Sequence, residues 1–173
     1  MTSTSLIRLG GAAAILAGLL RAATSFIPYS NSKPSAELEL LYLVIDTLIL
    51  LGILGIYAHQ HARVGVLGFV GFLLALSGTA IIVGPDGAIG SVDMYVVGSM
   101  LITFGLTLFS LATLRAQSLP RAAPLLWIIS TVIGVGGFLI KGPSALFVIA
   151  GLAFGLAFII AGSRIWSELS LKK

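Results

Sequence analysis

The chain has 173 residues, 58% of them apolar and 9% charged. A soluble domain carries about 25% charged residues, so a largely water-facing surface is excluded and most of the exterior must face lipid. The net charge of +4 reads as membrane topology instead of nucleic-acid binding, and the absence of cysteine excludes disulfides, thiolate metal sites and thiol catalysis.

A helix needs about 20 apolar residues to cross a bilayer, and the apolar runs predict six such helices. They cover Ser5 to Ile27, Leu38 to Ala58, Val64 to Val83, Val92 to Leu114, Ala123 to Ile140 and Ser144 to Ile165. The fifth is short and carries Gly134, Gly136 and Gly137. The first resembles a signal peptide in having Arg8 ahead of the apolar stretch Leu9 to Leu20. Its cleavage pattern is poor, however, and it matches later segments, so it is read as structure. The expected fold is an all-α polytopic membrane bundle forming a single transmembrane domain, residues 1–173.

The charges set an orientation. With both termini in the cytoplasm, that side holds Arg8, Arg63, Arg115, Arg121, Arg164, Lys172 and Lys173, against Lys33 and Lys141 outside. An excess of Lys and Arg marks the cytoplasmic side, which implies the cytoplasmic or inner membrane. Tyr57, Trp127 and Trp166 fall at the expected cytoplasmic interface, where amphipathic rings are favoured. His59 and His61 close the second helix there. Their spacing turns the rings apart, and no further ligands lie nearby, so they are read as solvated histidines and no metal or other cofactor is expected.

Three segments begin at an arginine and end at a proline: Arg8 to Pro28, Arg63 to Pro85 and Arg121 to Pro143. The second and third superpose at both ends. In the helices that follow, Tyr42-Leu43-Val44 aligns with Tyr95-Val96-Val97, Gly52 with Gly105, and Phe104-Gly105-Leu106 with Phe154-Gly155-Leu156. The unit is a two-helix hairpin repeated three times, at about residues 5–58, 63–115 and 121–166. Parallel repeats imply a pseudo-symmetry axis along the membrane normal. Gly84-Pro85, Gly142-Pro143 and the glycine-spaced helices after them resemble the six-helix acid-resistance membrane proteins of the HdeD type. The resemblance implies a bacterial cytoplasmic-membrane protein linked to stress and transfers no catalytic residues. The chain departs from it at Arg21 and in the polar loop Pro28 to Glu37.

Lipid gives helices no hydrophobic reason to associate, so small residues must allow close backbone approach. Ala14 and Gly18, Gly71 and Ala75, and Gly151 and Gly155 stand at the required four-residue spacing. Two charges lie within spans. Arg21 is expected about 10 Å and Asp46 about 12 Å from the outer ends of their helices, on a rise of 1.5 Å per residue. A lone intramembrane charge is costly, so the two are expected to form an ion pair. Glu39 and Tyr42 share a face with Asp46, and Ser25 shares one with Arg21, which suggests an outward polar cleft. Ser99, Thr103, Thr107 and Ser110 form a hydroxyl stripe on the fourth helix. Asp93, near a helix N-terminus, is favoured there by the helix dipole.

No nucleophile, base and metal set is apparent, so catalysis is not expected. The leading reading is a binding or structural protein that packs against membrane lipids, other membrane subunits or a copy of itself, with no nucleic-acid partner. The alternatives are a small-solute or proton transporter working through the Arg21–Asp46 cleft, and a stress-response membrane protein.

Overall fold

A computed structural model describes residues 3–27, 35–83 and 88–170. The loop segment 28–34, the Gly84-Pro85 step, Asp86 and the lysines at 33, 172 and 173 lie outside the described residues. The order is α1 (Ser3–Thr24), α2 (Ala36–Val83), β1 (Ala88–Ile89), β2 (Val92–Asp93), α3 (Met94–Ala116), α4 (Ala122–Leu139) and α5 (Ser144–Ser170). All five helices are long and apolar enough to cross a membrane. The exterior agrees with that medium, because large side chains such as Val66, Phe104, Phe138 and Leu139 are more than 60% exposed. This is the build of a multi-pass membrane protein.

The 48-residue α2 is two helices joined at one residue. Gly65 has φ 59° and ψ −163°, a conformation open to glycine and strained for residues with a Cβ. Its effect is read from the rings on either side. In an unbroken helix Tyr57 and Phe72 would stand about 22 Å apart, yet they stack with centroids 4.0 Å apart and planes 12° from parallel. The limbs 36–64 and 66–83 therefore fold back side by side. The turn lies later than the sequence suggests, so His59, Gln60 and His61 belong to the helix and not to a loop.

Between α2 and α3 the chain forms a two-residue hairpin that hydropathy does not reveal. Ala88 pairs with Asp93 and Ile89 with Val92, and Gly90 takes φ +64° in the turn, as glycine does at the first central position of a II′ turn. Asp93 then caps α3: its Oδ1 accepts from the N–H of Tyr95 at 2.9 Å and of Val96 at 3.3 Å. The cap satisfies amide groups that have no partner inside the helix. At the end of α4, Lys141 is left-handed and the N–H of Gly142 reaches back to Gly137 O at 2.8 Å, the six-to-one bond of a Schellman ending.

The helices close a ring in which α1 touches α2 and α5, α2 touches α3, α3 touches α4, and α4 touches α5. Glycine makes most of these seams. A Cβ on Gly10 would sit 2.5 Å from Gly55 Cα, and one on Gly52 would sit 3.0 Å from Ala14 Cα, which joins α1 to α2. A Cβ on Gly155 would sit 2.5 Å from Gly18 O, joining α1 to α5. A Cβ on Gly71 would sit 2.5 Å from Phe109 N, and one on Gly78 would sit 2.6 Å from Gly98 O, joining the second limb of α2 to α3. Ile45, Ile53, Ile56, Phe109, Trp127 and Phe158 fill the middle and are almost wholly buried. Trp127 is thus a core residue, not an interface anchor; its ring lies 5.1 Å from Phe158 and 6.5 Å from Phe109.

Candidate functional site

Arg21, expected well inside its helix, lies in the last turn of α1, where a cation complements the helix dipole. The α1–α2 register, with Gly10 across from Gly55 and Ala14 from Gly52, sets Arg21 across from Ile45. Asp46 is one residue on, hence turned about 100° off that seam. Arg21 and Asp46 are both half-buried. No ion pair joins them among the described residues, although Asp46 does have an interaction partner.

The rest of the expected cleft spreads in several directions. Ser25 donates its hydroxyl to Arg21 O at 2.8 Å, as Thr24 does at 3.2 Å, and it occupies the space beside Gly151 of α5. It faces α5 and not α2. Glu39 is exposed, and Tyr42 is half-buried against the core. The hydroxyl stripe is mostly turned onto its own helix. Thr103 donates to Ser99 O at 2.7 Å and Thr107 to Thr103 O at 2.8 Å. Thr107 also reaches Thr131 of α4 at 3.1 Å. Ser110 is fully buried, and its hydroxyl has no hydrogen-bond partner among the described residues. The indole N–H of Trp127 is buried in the same condition.

The dense polar contacts lie at the opposite end, where Arg8, Arg63, Arg115, Arg121 and Arg164 gather. Four long-range contacts mark this basic end. The Gln60 amide Nε2 donates to Thr113 Oγ1 at 3.1 Å, and its Oε1 accepts from Ser118 Oγ. All three residues are buried, so one side chain of α2 binds both α3 and the turn after it. Glu168 of α5 takes His59 Nε2 at 3.1 Å on one carboxylate oxygen and Arg164 on the other. The guanidinium of Arg8 lies 4.2 Å from the centre of the Trp166 ring, a cation–π arrangement. That contact brings the first turns of α1 and the last turns of α5 to the same end.

His59 is thus half-buried and engaged, unlike the solvated residue the sequence suggests, whereas His61 is exposed. No group of three His, Cys, Asp or Glu suited to holding a metal occurs among the described residues. Sequence reasoning missed Gln60, Thr113, Ser118 and Glu168. The available signal was Gln60 itself, an amide on the helical face Ile53–Tyr57–Gln60, once the helix is allowed to continue past Ala58.

No protein-family model, no curated protein and no solved structure matches the chain.

Proposed function

We propose that the chain is a structural or binding protein of the membrane, an accessory subunit that offers one lipid-facing helix, α4, to another membrane helix. The observation that carries this reading is how differently the glycines are used. Those of α1, α2, α3 and α5 are mostly filled by backbone from a neighbouring helix. A Cβ on Gly136 of α4 would meet nothing within 4 Å, and one on Gly134 would meet only Ala150, at 3.7 Å. α4 is also the least covered of the five candidate spans, and Val132, Phe138 and Leu139 project from it. Glycine costs a helix about 0.8–1.0 kcal/mol relative to alanine. Closed seams repay that cost by close packing, and an open one has no repayment until a second helix docks.

In this reading α2 counts as two crossings, so the chain crosses six times as three hairpins, with the arginine-rich end in the cytoplasm of the cell that makes it. Packing of the first two hairpins supports the repeat. Aligned on Pro28 and Pro85, Ala14 matches Gly71; in the helices that follow, aligned on Tyr42 and Tyr95, Gly52 matches Gly105. Ala14 meets Gly52 in the first hairpin, as Gly71 meets Gly105 in the second. The resemblance to HdeD-type proteins adds a stress-linked role to the same proposal, tested by survival of a deletion strain at low pH.

The test is co-purification in mild detergent. A stoichiometric membrane partner, or a second copy of the chain, is expected with the native protein and lost with Gly136→Trp. Recovery of a lone monomer in both cases overturns the reading. A transporter is the second reading, favoured by the Arg21 guanidinium, which is half-buried and lacks a hydrogen bond or ion pair among the described residues. Liposomes holding a pH-sensitive dye test it. Proton flux lost in the Asp46→Asn, Arg21→Gln double variant would support transport, and absence of flux in the native protein would end it.

A further inference from the structure

Most hydroxyls within these helices follow one habit. Thr47, Thr79, Thr103 and Thr107 each donate to the carbonyl four residues earlier, at 2.7–2.8 Å, the usual resort of a hydroxyl inside a helix. Ser110 departs from it. Its side chain is wholly buried, yet its Oγ leaves the Leu106 carbonyl alone and bonds to no group among the described residues. Trp127 is the second exception. It is 1% exposed, and its indole N–H is equally unmatched among the described residues. An indole N–H can only donate, and when buried it ordinarily finds an acceptor.

The two exceptions belong to one place. The Thr107–Thr131 contact of 3.1 Å fixes the register of α3 against α4. Ser110 stands three residues from Thr107 toward the basic end, and Trp127 four residues from Thr131 in the same direction. At 1.5 Å per residue they are level to within about 1.5 Å. Three residues turn Ser110 about 60° from Thr107, and four turn Trp127 about 40° from Thr131. Because the helices run antiparallel, both turns go to the same side of the seam. That side is the bundle interior, where Phe109 and Phe158 flank the Trp127 ring. The seam is also the most thinly packed of the ring. No glycine of α3 or α4 has the other helix among its nearest neighbours, so side chains hold these two helices apart.

We propose that Ser110 and Trp127 form a binding site for a single buried water molecule, which accepts from the indole N–H and shares a hydrogen bond with the serine hydroxyl. Two unmatched polar groups at one level are costly, and one water matches both. The site lies between two contacts already in place. The Thr107–Thr131 pair is one turn toward the outer end, and Thr113, which takes the Gln60 amide, is one turn toward the basic end. The water thus continues the polar links between α3 and α4 across a seam that no glycine closes. It is independent of any partner on the opposite, lipid-facing side of α4.

The experiment is a crystal structure of the full chain, grown from lipid, at a resolution that shows ordered water. Density for one water within about 3.2 Å of both Trp127 Nε1 and Ser110 Oγ is expected. A direct bond between the two side chains overturns the proposal. So does a water that touches only one of them, or none at all. Thermal unfolding in detergent supplies the energetic half of the test, on Ser110→Ala, Trp127→Phe and the double variant. Each single variant should unfold about 2–4 °C below the native chain. A shared water makes the two losses interdependent, so the double variant should lose less than their sum. Strict additivity overturns the proposal. If Trp127→Phe does not fold, the native density decides alone. Loss of a protein partner in Gly136→Trp changes none of these readings, so the two proposals fail separately.

Discussion

The seam between the second limb of α2 and α3 and the outer face of α4 are both rich in glycine, and they use it in opposite ways. In the seam, Gly71, Gly78, Gly98 and Gly105 sit where a single methyl group would strike the backbone of the neighbouring helix. On α4, a Cβ on Gly136 would meet nothing within 4 Å, and one on Gly134 would make only an ordinary contact with Ala150, at 3.7 Å. Glycine content alone therefore does not report packing in a membrane protein. What reports it is whether another backbone occupies the place of the missing side chain. The contrast can be broken by substitution, since the same change should be ruinous on one helix and favourable on the other.

The largest effect is expected at Gly105. A Cβ there collides with the backbone nitrogen of Ala75 and lies 2.7 Å from Gly71 O, and backbone cannot swing aside as a side chain can. Overpacking a core costs about 1–3 kcal/mol and sometimes more, so Gly105→Leu should lose more than about 3 kcal/mol. In detergent it should appear as aggregated or protease-sensitive protein, and a native-like thermal unfolding curve would refute the seam. Next is Gln60→Leu. Removing the amide strands Thr113 and Ser118 in a buried site, and an unsatisfied buried polar group costs about 1–3 kcal/mol. Thr103→Val is the control, because the Thr103 hydroxyl bonds to its own helix; its expected change is below about 0.5 kcal/mol.

Gly65→Ala falls in the same range as Gln60→Leu or somewhat below it, for a different reason. A Cβ on Gly65 would meet nothing within 4 Å, so no clash arises. The cost is conformational, about 1–3 kcal/mol for a residue held in a sparsely populated backbone region. It should appear as a lowered unfolding temperature with the helical signal retained. A rise in stability would show that the turn between the limbs does not need φ 59°.

These sites also show what the sequence can and cannot disclose. Hydropathy located the helical runs because lipid imposes a length and a composition on every span, and the charge pattern gathered the described arginines other than Arg21 at one end. A single-residue turn at Gly65 is invisible to hydropathy, since Val64 and Val66 on either side are as apolar as the helices. Placing the turn a few residues early moved His59 and Gln60 into a loop and hid the faces that bind α5 and α3. The Arg21–Asp46 pair expected from the sequence rests on depth alone. Depth along two helices can be counted from sequence, but rotation about each axis is set by packing, and Gly10, Ala14, Gly52 and Gly55 chose a rotation that puts Ile45 on the seam. Trp127 failed because position near a helix end does not say which way a ring points, and here it points inward to Phe109 and Phe158.

The smallest effect is the most discriminating. Gly136→Ala adds one methyl group at a half-buried helix position where the new Cβ meets nothing within 4 Å, so the isolated chain in detergent should gain about 0.5–1 kcal/mol from the alanine preference. If a partner helix packs against α4, the same methyl group enters that interface and holds two backbones apart, so association should weaken while the subunit itself becomes more stable. A lipid-facing α4 predicts the first effect without the second, because acyl chains rearrange around a methyl group at little cost. Thermal unfolding in detergent and partner recovery from membranes, measured on one variant, therefore separate a docking face from a bare one. Opposite signs in the two measurements identify the open glycines as an interface awaiting its second helix.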